Sequence, residues 1–213
     1  MGDTDKSIRE RKTVKVLADN DLATPGGDFD STIRELLDLA GMAPFHRPCH
    51  AIHQEGDLQG IEPWRFYVLA AAECRALGPS LDPGKAGKIP KMLAAADSLV
   101  ICTWLPNPSG NDAEDQEELF EPTMANMEHI AAASAAIQNL LIAATDRGIA
   151  NYWSSGGVLR GEEFFTRCGI PAGEILLGAI FLFPTETGEA QVVESNLRTK
   201  RTAADQWSKC LKA

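Results

Sequence analysis

The segment from Pro122 to Arg147 constrains this chain more than any other. It reads as a single helix of about seven turns, the longest helical stretch in the sequence. Its middle is an alanine-rich run, Ala131-Ala132-Ala133-Ser134-Ala135-Ala136, followed by Ile137, Leu140, Leu141 and Ala144 at helical spacing. Small side chains let another backbone approach closely. The plain reading is a central core helix; the sharper reading adds a subunit interface built on it. Gly148 supplies its stop.

Shorter elements arrange themselves around it. Ser7 to Lys12 reads as a short helix and Thr13 to Leu17 as extended chain. Asp19 to Asp30 reads as a loop with a Pro25-Gly26-Gly27 turn. Asp30 or Ser31 can cap a helix running to about Met42, where Ile33, Leu36, Leu37 and Ala40 share a face and Pro44 ends the run. Phe45 to Glu62 is long and irregular. Strands are expected at Trp64–Ala71, Asp97–Leu105, Ala150–Trp153 and Ile175–Phe183, with helices at Ala72–Leu77, Lys88–Ala95 and Gly161–Cys168. Asn111 to Glu121 is acidic and reads as a solvated loop, with a mobile lid as the functional alternative. Strands and helices alternate irregularly, so the fold class is α+β. The 213 residues, 44% of them hydrophobic, fit one domain over 1–213.

Composition removes several function classes. A net charge of −10 disfavours sequence-independent nucleic-acid binding and anionic membrane surfaces. The polar N-terminus lacks a secretory pattern, and the apolar runs are too short to span a membrane. Five scattered cysteines without a CxxC pattern predict reduced thiols and a cytoplasmic protein. No GxGxxG, Walker A, HExxH or GxSxG motif occurs.

Against this acidic background two basic stretches stand out. The first is Arg9-Glu10-Arg11-Lys12-Thr13-Val14-Lys15. Arg11 can fork two N–H donors onto a phosphate, Lys12 adds a point charge, Thr13 a hydroxyl, and Lys15 can reach another part of the same ligand. The bland alternative is a solvated basic helix end. The second is Arg198-Thr199-Lys200-Arg201. By itself it is an ordinary charged tail. If the two stretches meet, Arg198 and Lys200 complete a phosphate cage. Charge-assisted hydrogen bonds contribute roughly 1.5–3 kcal/mol each, so three of them with a buried ring suffice for about micromolar affinity. Pro63-Trp64-Arg65-Phe66 opens a strand able to wall a flat ring. Trp153-Ser154-Ser155-Gly156-Gly157 lets backbone come close to a ligand. His46, Cys49, His50 and His53 suggest zinc, but Pro48 breaks any shared helical face, and no metal site is expected.

In order along the chain, Arg11-Lys12-Thr13-Val14-Lys15, Ala43-Pro44, Pro63-Trp64-Arg65-Phe66, Ala136 to Ala144, Gly148, Trp153-Ser154-Ser155-Gly156-Gly157 and Arg198-Thr199-Lys200 resemble the FMN-dependent nitroreductase family. Ala43 to Arg47 and Trp153 to Gly156 resemble its compact subgroup. The resemblance implies a mostly antiparallel central sheet flanked by helices, and an intertwined homodimer with the long helix at its interface. FMN would sit between the subunits, with NAD(P)H as reductant. It implies that Arg11, Lys12 and Thr13 bind the FMN phosphate, that Lys15 faces the N1/O2 edge of the ring, and that His46 reaches FMN from the partner subunit. Trp153, Ser154 and Ser155 would line the ring, and Gly156 or Gly157 would offer an N–H to N5.

Two departures stand out. The stretch between Ala-Pro and Pro-Trp is longer than in the family, with Glu62 where Gln is usual, and His46 and Arg47 become the substitutes for its Ser/Asn contacts. Lys12 and Lys15 stand where Arg is frequent. The resemblance implies hydride transfer from NAD(P)H through FMN to a small electron-poor acceptor, a nitroaromatic or quinone. No catalytic side chain is required, because the flavin carries the chemistry. The alternative is an FMN-binding regulatory or storage module with little turnover.

Overall fold

The computed structural model describes residues 3–24, 29–108 and 119–211. The central sheet has four antiparallel strands in the order β2-β3-β5-β4: β2 (Trp64–Ala70), β3 (Ser98–Trp104), β4 (Ala150–Ser154) and β5 (Ile175–Phe183). Every residue of β3 is buried, because the strand is covered on both faces. Leu99 and Ile101 turn toward one apolar cluster, Val100 and Cys102 toward the other. Strand β5 divides in the same way: Ala179, Phe181 and Phe183 to one side, Ile180 and Leu182 to the other. A two-sided core explains why both strands read as unbroken apolar runs.

One face carries α2 (Phe29–Gly41) and α6 (Met124–Asp146). Ile33, Leu36 and Ala40 meet Ile137, Leu140 and Leu141 over Val100 and Ile180, with Leu37 partly buried beside them. Helix α6 is capped where Thr123 Oγ1 accepts the Asn126 N–H at 3.2 Å. It stops at Gly148, whose φ of +71° suits glycine. Helix α2 begins at Phe29, so Asp30 lies in its first turn instead of capping it. The opposite face is covered by α3 (Ala71–Leu77), α5 (Ile89–Ala95) and α7 (Glu162–Cys168), with the one-turn α4 (Pro83–Ala86) nearby.

The N-terminal helix α1 (Asp3–Glu10) docks on the far end of α6, where Ser7 Oγ donates to Asp146 Oδ1 at 2.6 Å. It leads into β1 (Val14–Leu17), which pairs antiparallel with β6 (Gln191–Glu194) in a separate two-stranded ladder. The sequence reading lacks β6. The Pro25-Gly26-Gly27 turn and residues 111–118 of the acidic segment lie outside the described residues. No helix among the described residues is long and apolar enough to cross a membrane.

Candidate functional site

The β1–β6 ladder is what joins the two basic stretches. Val14 pairs with Glu194 and Lys15 with Val193, and Ser195 N donates to Thr13 O at 3.0 Å. The chain then turns through a 3₁₀ segment, Asn196–Lys200, beside the end of α1. There Arg198 donates to the carbonyls of Glu10 at 3.0 Å and Arg11 at 3.5 Å. Half of the bland reading therefore holds, since a cation does sit at the negative end of a helix. It is the arginine of the other stretch.

Arg11 itself is half-buried. One of its terminal nitrogens donates to Thr13 Oγ1 at 3.5 Å, and its Nε is buried without a partner. Burial holds its guanidinium below the usual arginine value, and the charges of Arg201 and then Arg198 push it further in the same direction. The Arg11 guanidinium thus feels the repulsion of two further arginines, one of which, Arg198, is tied to the carbonyls beside it. Such a cluster is stabilised by an anion, and forked N–H donors match phosphate oxygens. An orphaned buried Nε within it fits the same ligand. These residues could hold the phosphate of FMN.

The neighbouring candidates behave differently. Lys12 is exposed and forms an ion pair with Glu194 on β6, so its charge is offset within the chain. Lys200 is exposed and takes part in no ion pair among the described residues. Arg198 and Arg201 of this stretch both act on Arg11 through their charge. Arg198 lies within the 3₁₀ segment and Arg201 follows its end in extended backbone.

The Trp153 to Gly157 segment closes β4. The Trp153 indole packs closely on Gly178 of β5, where a Cβ would stand 2.1 Å from its Nε1. Ser154 is buried, and its Oγ accepts the Gly156 N–H at 3.2 Å, so that N–H already has a partner within the chain. Gly156 adopts φ +101°, and a Cβ there would fall 2.3 Å from Leu176 Cδ2. Ser155 is exposed, with its carbonyl accepting from Arg160 Nε at 2.5 Å. Gly157 follows at φ +52°. Lys15 Nζ stands 4.6 Å from the ring centroid of Tyr152. Tyr152 and Trp153 pack into opposite clusters, so Lys15 and Trp153 serve opposite faces of β4. A ligand touching both must straddle the β4 edge.

His46 and Arg47 are exposed and lie elsewhere. Arg47 Nε pairs with Glu128 Oε2 at 2.8 Å, near the start of α6. The Arg11 end of the molecule is anchored at Asp146, about 27 Å further along that helix at 1.5 Å per residue. Within one chain His46 and Arg47 do not join the arginine cluster. His50 Nδ1 accepts from Ile52 N at 3.3 Å, and His53 Nε2 donates to Pro106 O at 2.7 Å. No group of three metal-ligating side chains stands together among the described residues.

The Pro-Trp strand packs its first residues into the core. Trp64 is buried, edge-on to Phe45 at 5.6 Å, and Arg65 is buried beside it. The Arg65 guanidinium donates to the carbonyls of Glu62, Trp64, His53, Leu58 and Gly60, tying down the long irregular stretch. Trp104 is likewise buried, with Phe120 edge-on at 4.9 Å.

No protein-family model matches the sequence, and no curated protein matches it. Solved structures do match. A nitroreductase-like family protein from Bacillus cereus is 20% identical with a TM-score of 0.67, covering 100% of this chain and 98% of that one. A nitroreductase family protein from Streptococcus pneumoniae TIGR4 is 16% identical with a TM-score of 0.60, covering 97% and 98%. A nitroreductase with bound FMN from Desulfitobacterium hafniense DCB-2 is 17% identical with a TM-score of 0.55, covering all of both chains. The chain has the nitroreductase-like fold that its ordered motifs imply.

Proposed function

We propose that residues 1–213 form one FMN-binding unit, and that the protein is an NAD(P)H-dependent flavin oxidoreductase acting as a homodimer. The observation that carries this reading is the unpartnered buried Nε of Arg11, at a helix end to which Arg198 is tied and on which the charge of Arg201 also acts. The FMN bound by the nitroreductase from D. hafniense, on the same fold, adds support. When bound, FMN supplies two-electron chemistry, accepting hydride from NAD(P)H and returning it to a nitroaromatic, quinone or similar electron-poor acceptor.

The chain's own residues bind, orient and tune. Arg11 and Arg201 direct N–H donors at the phosphate, while Arg198 is held by the α1 carbonyls and adds charge. Thr13 steadies Arg11 through its hydroxyl. Lys200 contributes field at the rim, where Lys12 stands paired with Glu194. Lys15 presents a positive charge that favours electron uptake; a differential interaction of about 1.4 kcal/mol moves a two-electron potential by roughly 30 mV. Trp153, Ser154, Ser155 and Gly157 border the ring. A second copy of the chain would bring its own His46 and Arg47 to the site, which fits their distance from Arg11 within one chain. It would also cover the exposed Leu39, Met42, Met124 and Met127.

The visible spectrum of freshly purified protein, read with its oligomeric mass, tests this. A flavin band at dimer mass is expected. A colourless protein that stays colourless with added FMN removes the proposal. Rapid mixing with NADH and NADPH separates enzyme from binding module: reduction of bound FMN by either supports the oxidoreductase, and failure with both supports the module.

A further inference from the structure

Lys15 differs from its neighbour Lys12. Lys12 is neutralised by Glu194. Lys15 takes part in no ion pair among the described residues, and its ammonium rests on the face of Tyr152, 4.6 Å from the ring centroid. The Tyr152 ring stacks on Phe181 at 6.3 Å and 30°, and Phe181 stacks on Phe183 at 6.1 Å and 10°. Phe181 and Phe183 are fully buried in the core. The lysine head is thus seated on a three-ring column rooted in the sheet.

The choice of partner matters chemically. A carboxylate would fix the ammonium and cancel its field. A ring face attracts the cation through its quadrupole and adds no counter-charge. It also holds the end of a flexible four-carbon stem that would otherwise sample many rotamers. We propose that Tyr152 is the positioning residue for Lys15: it holds the ammonium in place with its charge uncompensated, and so sets how readily the bound flavin takes up electrons. This rests on the FMN reading above.

Two readouts test it, one of them free of flavin. In apo-protein with ¹³C-methylated lysines, the Lys15 resonance is displaced upfield by the Tyr152 ring current. Tyr152→Phe keeps that displacement and Tyr152→Leu loses it. In the FMN-loaded protein, Tyr152→Phe keeps the wild-type midpoint potential. Tyr152→Leu makes it more negative, in the same direction as Lys15→Met, and the double variant Lys15→Met/Tyr152→Leu goes no further than Lys15→Met. Tyr152→Met reads the same effect should the leucine variant not fold. A potential moved by Lys15→Met and untouched by Tyr152→Leu overturns the role of Tyr152 alone. A ring-current shift lost in Tyr152→Leu, with a potential insensitive to both variants, overturns the proposal through the flavin reading. Absence of the upfield displacement in wild type overturns the contact itself.

Discussion

Arg65 and Arg11 are both drawn out of water, and they are treated in opposite ways. Arg65 is buried and surrounded by carbonyl oxygens, five of which accept its N–H groups. Arg11 is half-buried, has one long bond to a threonine hydroxyl and an orphaned Nε, and faces two further arginines. A cation whose donors are saturated by its own chain has nothing left to offer a ligand; it organises structure. A cation left partly unpaired among like charges lowers the stability of the free chain and is available to an anion. Hydrogen-bond accounting, more than residue type, separates the scaffold from the site.

The largest expected effect comes from breaking the satisfied member. Arg65→Met leaves the carbonyls of the irregular stretch without their shared donor. It should destabilise the protein by at least about 3 kcal/mol, with flavin content per folded molecule unchanged; denaturant unfolding with flavin quantitation checks both halves. Breaking the unsatisfied member should do the reverse. Arg11→Ala should raise the FMN dissociation constant about 10- to 150-fold, the equivalent of roughly 1.5–3 kcal/mol. The apo-protein should become more stable, not less, because the variant removes an orphaned Nε and its repulsion from two arginines; flavin fluorescence titration and urea unfolding would read both changes.

A third arginine sits between these extremes. Arg75 donates to the carbonyls of Ala71, Leu93, Ala96 and Leu22, yet its Nε and the nearby Asp97 Oδ1 are both buried without partners. Burial raises the Asp97 carboxyl to about 6 from 3.8, opposed in part by Arg75. The folded state therefore holds this proton more tightly than the unfolded chain. The stability it contributes is full below pH 4 and is lost as pH rises through about 6. Asp97→Asn should flatten that dependence and stabilise the protein at pH 7 by about 1–2 kcal/mol once that rise is discounted for solvent screening, measurable as thermal unfolding across pH 4 to 8. The smallest effect belongs to Lys12. Its exposed pair with Glu194 predicts a change in stability within about 0.5 kcal/mol on Lys12→Ala, read by urea unfolding.

The comparison also marks what the sequence could disclose. Strand β3 was legible because Leu99-Val100-Ile101-Cys102 is apolar on both faces, and the sheet is covered on both. Helix α6 was legible through its unbroken period and its stop at Gly148. Strand β6 was not: three of the residues in Gln191-Val192-Val193-Glu194 are exposed, and its identity comes from backbone pairing with β1, far away in sequence. Since that ladder brings the second basic stretch beside Arg11, the meeting of the two could be supposed from residue types, while the part of Arg201 needed the folded chain. The part of Arg65 was hidden for a related reason. Its partners are backbone carbonyls of an irregular stretch, and such groups leave no mark in side-chain pattern.

The account depends on the arginine cluster recognising a phosphate, and riboflavin differs from FMN in that group alone. Titration of apo-protein with each, in parallel with Arg201→Ala, is the most direct test. FMN should bind about two orders of magnitude more tightly than riboflavin, and Arg201→Ala should remove most of that preference while leaving riboflavin affinity unchanged. Equal affinity of the wild-type protein for the two flavins would contradict the assignment.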